Sequence, residues 1–269
     1  MDSLLVKGRK VGEIMKRFII LPTIFILLLI AATVYAADKQ TQSEIVQELV
    51  DVTGDGKDDH ITITGVPFEE GSLFLKEISM KVKTSEGERF HAELEGGYEP
   101  TLAFKDFNHD GVKDVLVRVE TGGSGGTSNY ELYSFKDAKQ KDLGVPEPLT
   151  IISQFEEGYK ASIQIEETGK VYTFNLFDRK EKYDRLGLYQ NGKLNEPMEL
   201  MVLPYSTLKP VFVHEKQIGF KGVQRISGVG NVDTIGFVES SWILENGEWK
   251  QTDTKVQKSL NTKKKKKNK

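Results

Sequence analysis

The stretch Leu102-Ala-Phe-Lys-Asp-Phe-Asn-His-Asp-Gly-Val-Lys-Asp-Val-Leu-Val-Arg-Val119 decides how this chain is read. Its middle is a nine-residue loop, Asp106–Asp114, with an oxygen-bearing side chain at every second position up to a glycine. Its end, Val115–Val119, is rich in β-branched residues and reads as a strand. The same combination stands 55 residues earlier, where Asp51-Val-Thr-Gly-Asp-Gly-Lys-Asp-Asp59 precedes Ile61-Thr-Ile-Thr64. Both loops fit the pattern D-x-[TN]-x-D-G-x-x-D. A loop of this kind feeding directly into a strand, twice over, predicts a β-repeat protein.

Outward from these loops the pattern continues in short β-type runs. Ile78–Val82, Tyr130–Phe135, Ala161–Ile165 and Val171–Leu176 alternate apolar and polar residues, as half-buried strands do. Glu86-Gly87, Glu95-Gly96-Gly97, Thr168-Gly169, Asn191-Gly192 and Asn246-Gly247 supply turns between them, the last two as hairpins. Residues 38–48 read as either a short helix or a strand entering the domain. No long apolar run has helical spacing, so the body is all-β or nearly so.

The loop chemistry points to a hard cation. Calcium takes six to eight oxygens in a flexible shell, and alternate residues of a tight loop point to one centre. Positions one, three and five offer Asp51, Thr53 and Asp55 in the first loop, and Asp106, Asn108 and Asp110 in the second. Gly56 or Gly111 permits the sharp turn. The carbonyl of Lys57 or Val112 adds an oxygen at position seven, and Asp59 or Asp114 closes the shell at position nine. Position twelve is Thr62 or Val117, so the bidentate glutamate of an EF-hand is missing. Magnesium demands a tighter octahedral shell. Zinc would want cysteine or a histidine cluster, and the chain has no cysteine. Two calcium ions are expected. The bland alternative is a pair of Asp-Gly turns that terminate strands.

The loops, with their following strands and Gly122-Gly-Ser-Gly-Gly-Thr-Ser-Asn-Tyr-Glu-Leu-Tyr-Ser-Phe135, resemble the FG-GAP/VCBS repeats of secreted proteins from spore-forming Gram-positive bacteria. The resemblance covers roughly residues 45–250, and its specific part is the two loops. It implies blades of a β-propeller with calcium loops between strands. A spacing of about 50–55 residues then gives four quasi-repeats, two with calcium and two without. The expected fold is a small propeller of about four blades, with a β-sandwich or a partial propeller as alternatives. Leu208–Gly219, where another acidic loop would fall, lacks aspartates; Glu215 cannot replace three carboxylates, so no ion is expected there.

Composition sets the setting. The chain has 269 residues and a net charge of −3. Residues 1–36 carry five basic and two acidic side chains, and residues 261–269 carry six lysines. Setting both aside leaves 26 basic against 38 acidic residues over 37–260, a net of −12. An acidic body repels nucleic acid phosphates and favours cations. Residues 18–36 are uncharged behind Lys16 and Arg17, and Val34 and Ala36 hold the small-residue positions of a signal peptidase site. A secretory signal helix cleaved after Ala36 is expected, with residues 1–14 an upstream extension; an uncleaved anchor is the alternative. Either way, residues 37–260 form the β-repeat domain outside the cytoplasm. The lysine tail 261–269 buries nothing; it is expected to be disordered, available to a cell-wall polymer or another anionic surface.

No catalytic constellation emerges. Gly122–Gly126 formally matches G-x-S-x-G, but a nucleophile elbow needs a strand-to-helix turn and here a β-type run follows Ser124. Trp242 and Trp249 are expected in the core. The sequence therefore predicts a secreted, calcium-binding β-repeat protein with a structural or binding role at the cell surface, and not an enzyme; the alternative is an extracellular hydrolase with an unrecognised site.

Overall fold

The computed structural model describes residues 42–214 and 217–259. The expected signal segment 1–36, the lysine tail 261–269 and Glu215 lie outside the described residues. Among the described residues, no helix is long and apolar enough to cross a membrane.

Four meanders follow one another along the chain. The first sheet is β1 (Ser43–Val50), β2 (Asp59–Pro67), β3 (Leu75–Lys83) and β4 (Arg89–Leu94), hydrogen-bonded in that order. The second is β5 (Tyr98–Lys105), β6 (Asp114–Glu120), β7 (Ser128–Ser134) and β8 (Lys141–Asp142). The third has three strands, β9 (Ile151–Glu156), β10 (Lys160–Ile165) and β11 (Val171–Asn175). A short helix, α1 (Lys180–Arg185), and a two-stranded ribbon, β12 (Tyr189–Gln190) with β13 (Lys193–Leu194), follow it. The fourth holds the longest strands: β14 (Met201–His214), β15 (Gln217–Ser227), β16 (Thr234–Glu245) and β17 (Glu248–Lys258).

The expected strands all fall within or across these elements, and the segment left open at 38–48 is strand from Ser43 onward. Asn191-Gly192 joins β12 to β13 and Asn246-Gly247 joins β16 to β17. In each pair both residues have positive φ, 53° and 83° in the first, 54° and 83° in the second. That is the turn whose twist matches the flanking strands, and it explains the Asn-Gly choice. The third unit departs from four plain strands, because α1 and the ribbon stand where a fourth strand was expected.

Side chains sort by the period of two. Ile61 and Ile63, Ile78, Met80 and Val82, and Ala92 and Leu94 point from the first sheet onto Val115, Val117 and Val119 of β6. The intervening Leu116, with Leu132 of β7, points the other way, into a second core shared with Phe155, Ile163, Phe174, Phe220 and Trp242. The second sheet is thus covered on both faces, which is why β6 reads as a nearly continuous apolar run.

Between sheets, Leu208 N donates to Tyr130 Oη at 2.9 Å, and Phe107 stacks on Phe220 with ring centroids 4.5 Å apart. These contacts join the second sheet to the fourth. Gln224 brackets the Leu149 backbone through 2.9 and 3.0 Å bonds, and Arg179 Nη1 reaches Asp233 Oδ1 at 2.9 Å, tying the third unit to the fourth. A propeller ring would run in chain order and close the last blade on the first. No closed propeller is formed among the described residues. The result is a stack of antiparallel sheets, mostly β, with one short helix.

Candidate functional site

Both aspartate loops lie where one strand hands over to the next, Asp51–Asp59 between β1 and β2 and Asp106–Asp114 between β5 and β6. They share a hydrogen-bond skeleton. Gly56 N donates to Asp51 Oδ2 at 2.9 Å, and Gly111 N to Asp106 Oδ2 at 3.0 Å. Lys57 N donates to Asp55 Oδ1 at 2.8 Å, and Val112 N to Asp110 Oδ1 at 3.0 Å. Val52 N and Thr53 N both donate to Asp59 Oδ2, as Phe107 N and Asn108 N do to Asp114 Oδ2. The left-handed backbone also recurs, at Gly54 and Gly56 in one loop and His109 and Gly111 in the other. Position six was legible from its glycine. Position four was not, because a histidine fills it in the second loop.

The position-nine aspartates sit beneath the loops, fully buried. Asp59 also accepts from Thr53 Oγ1 at 3.1 Å and from Ser85 N at 2.9 Å, so four donors converge on it. Asp114 lacks the equivalent of the Ser85 bond, and its Oδ1 has no hydrogen-bond partner. Burial pushes its carboxyl up to about 6, against the pull of Phe107 N, Asn108 N and the Ser134 hydroxyl. Asp55 instead is held below its ordinary value, first by the Ser85 hydroxyl and then by Lys57 N.

The two loops touch. A side-chain atom on Gly54 would meet Val112 Cγ2 at 2.7 Å. Consecutive residues of the turn after β7 bridge them: Lys136 Nζ donates to Asp110 O at 2.6 Å, and Asp137 N donates to Thr53 O at 3.0 Å. Lys136 Nζ also lies 3.7 Å from Asp110 Oδ1. Beside the first loop is a cleft of about 280 Å³ lined by Thr53, Asp55, Ser85, Glu86, Glu88 and Asp137. The sequence reading missed Ser85, Lys136 and Asp137. Ser85 stands beside a turn already read as Glu86-Gly87, and nothing in the sequence ties Lys136 to a loop 26 residues away.

Among the described residues, no three His, Cys, Asp or Glu side chains converge as a ready metal cluster. The donor chemistry still fits a hard cation, because each loop presents carboxylate oxygens that accept one N–H or O–H and keep a second lone pair. The loops differ in their resident cations. Lys57 is mostly exposed and reaches Asp55 only at 3.9 Å, whereas Lys136 is anchored against Asp110.

Ser124 lies between β6 and β7, and its hydroxyl accepts from Asn231 Nδ2 at 2.8 Å, an amide rather than an imidazole. Trp242 is buried with Nε1 donating to Ser240 Oγ. Trp249 packs on Phe220 at 5.0 Å.

Residues 149–257 match the YybI C-terminal domain family, a span that holds the third and fourth sheets and neither aspartate loop. The chain is a distant homologue of the uncharacterized protein YybI of Bacillus subtilis (strain 168). The two are 27% identical over 215 residues, 77% of this chain and 82% of that protein. No solved structure matches the chain.

Proposed function

We propose that this chain is a secreted calcium-binding β-repeat protein with a structural or binding role at the cell surface. The observation that carries the reading is the skeleton common to both loops: the same four backbone-to-carboxylate bonds and the same two left-handed positions, in segments 55 residues apart. Strand-ending turns need no such duplication of three carboxylates.

In this reading Asp51, Thr53, Asp55 and the Lys57 carbonyl hold one ion, and Asp106, Asn108, Asp110 and the Val112 carbonyl hold a second. Asp59 or Asp114 closes each shell at position nine, and each also gathers backbone N–H groups of its loop. Calcium supplies the charge that like-signed carboxylates lack; two such groups ~5 Å apart repel by roughly 3 kcal/mol at an effective dielectric of ~20. The four meanders are then blade-like units of an open, partial propeller, and the likeness to FG-GAP/VCBS repeats rests on the two loops. Residues 1–36 serve as the export signal, cleaved after Ala36. No catalytic residue is assigned.

Thermal unfolding of the mature chain in EDTA and in a calcium series, with magnesium as control, tests this. With a Kd of ~0.1 mM and calcium at ~1 mM, each site adds about 1.4 kcal/mol, a rise of a few degrees in Tm for a domain of this size. Asp55→Ala and Asp110→Ala then separate the loops. A Tm indifferent to calcium, or equally responsive to magnesium, overturns the reading.

A further inference from the structure

We propose that the outer face of the first sheet binds a linear phosphodiester polyanion. The body of the chain carries a net −12, yet strand alternation gathers cations on this face. On β2, β3 and β4 the apolar residues point into the core, so the intervening positions point out. The register aligns them in rows. His60 stands opposite Lys83 and Lys83 opposite Arg89; Thr62 stands opposite Lys81 and Lys81 opposite His91. A cleft of about 490 Å³ runs over these rows, lined by Glu44, His60, Thr62, Lys81, Arg89 and His91 among others. Of the nearby carboxylates Glu44 lines the cleft, while Glu93 pairs with His91 and Glu77 lies further along β3. Lys83 and Arg89 make no ion pair among the described residues.

Lys83 and Arg89, on neighbouring strands, stand about 5 Å apart and repel one another. A polyanion lying across them removes that repulsion and releases its own counterions. Along β3, Lys81 and Lys83 are about 7 Å apart, a distance comparable to one extended three-carbon diol phosphodiester repeat. Arg89 offers the planar fork that suits two phosphate oxygens. The cations line a cleft, which admits a single chain and not a flat bilayer. Phe90 packs against the core and also lines the cleft, beside His60 and His91. The face lies outside the aspartate loops, and the proposal stands without calcium.

The probe is a fluorescein-labelled oligomer of roughly 20 propanediol phosphodiester units, which has charge and no bases, titrated by anisotropy against the full chain at one fixed calcium concentration. Binding is expected to weaken steeply with salt. Lys83→Glu with Arg89→Glu should weaken it at least about tenfold and lower the slope of log K against log salt by about 2, one for each cation removed. Both positions are exposed, and circular dichroism reports whether the fold survives; Lys83→Gln with Arg89→Gln is the milder check. Unchanged affinity in both variants overturns the proposal, since the lysine tail alone would then account for binding. Tighter binding to phosphatidylglycerol vesicles than to the oligomer, with the same sensitivity to the variants, overturns it in favour of a lipid surface.

Discussion

Gly56 and Gly111 hold φ of 82° and 88°, with open space where a side chain would go. Alanine at either position therefore suffers backbone strain alone, expected at about 1–2 kcal/mol by denaturant unfolding. Equal losses at the two positions would show that the loops are equivalent backbones whatever they hold. The spacing of aspartates and glycines was fully legible, because it follows from alternation in a tight loop. What position nine does was not. The letter alone does not show that in both loops this carboxylate is buried and gathers backbone N–H groups. Asp59 is saturated by four donors and Asp114 is not. That asymmetry arises from the Thr53 hydroxyl and from Ser85, and the latter sits on a hairpin 26 residues away that no local pattern records.

At the scale of elements, two features tie segments distant in sequence. The turn after β7 carries Lys136, which sits against Asp110 in competition with any cation in the second loop. Lys136→Ala should raise the calcium-induced Tm shift that Asp110→Ala abolishes, while leaving the shift due to the first loop unchanged. The second feature joins α1 to the β15–β16 connection. Arg179, just before the helix, and Lys182 and Tyr183 within it converge on Asp233, which is almost wholly buried. Burial pushes the Asp233 carboxyl up, but Lys182, Tyr183 and Arg179 outweigh it and hold the group below its ordinary 3.8. A depressed carboxyl contributes stability that is fully present above pH 3.8 and lost as pH falls through the folded value. Asp114, raised to about 6, acts in the opposite sense, favouring the native state as pH falls from about 6 toward 3.8. Asp233→Asn should cost about 3–5 kcal/mol at neutral pH by leaving Arg179 buried without its counter-charge. It should also flatten the acid limb below pH 3.8 in a denaturation series. Nothing in the sequence pairs residues 54 apart across an irregular connection, so this network was invisible beforehand.

For the molecule as a whole, strands and hairpins were readable from alternation and from Asn-Gly pairs, but sheet-on-sheet order was not. Repeat spacing counts units without saying which faces which. The matched family span 149–257 cuts across a shared core, since Phe107, which lies outside it, packs on Phe220 and Trp249 with ring centroids 4.5 and 6.4 Å away. A fragment of residues 149–259 should therefore bind a hydrophobic dye and melt below the full chain; a melt at the full-length temperature would show that the third and fourth sheets are self-sufficient.

The doubly covered second sheet has a further consequence, in the order of synthesis. Residues leave the ribosome from the N-terminal end. The first two sheets can pair as soon as β8 is out, closing one side over Val115, Val117 and Val119. The opposite side, with Leu116 and Leu132, has its core completed only when Phe155, Ile163 and Phe174, and last Phe220 and Trp242, arrive. For that interval the nascent chain presents an apolar wall to its surroundings, the condition under which unfinished chains aggregate and chaperones engage.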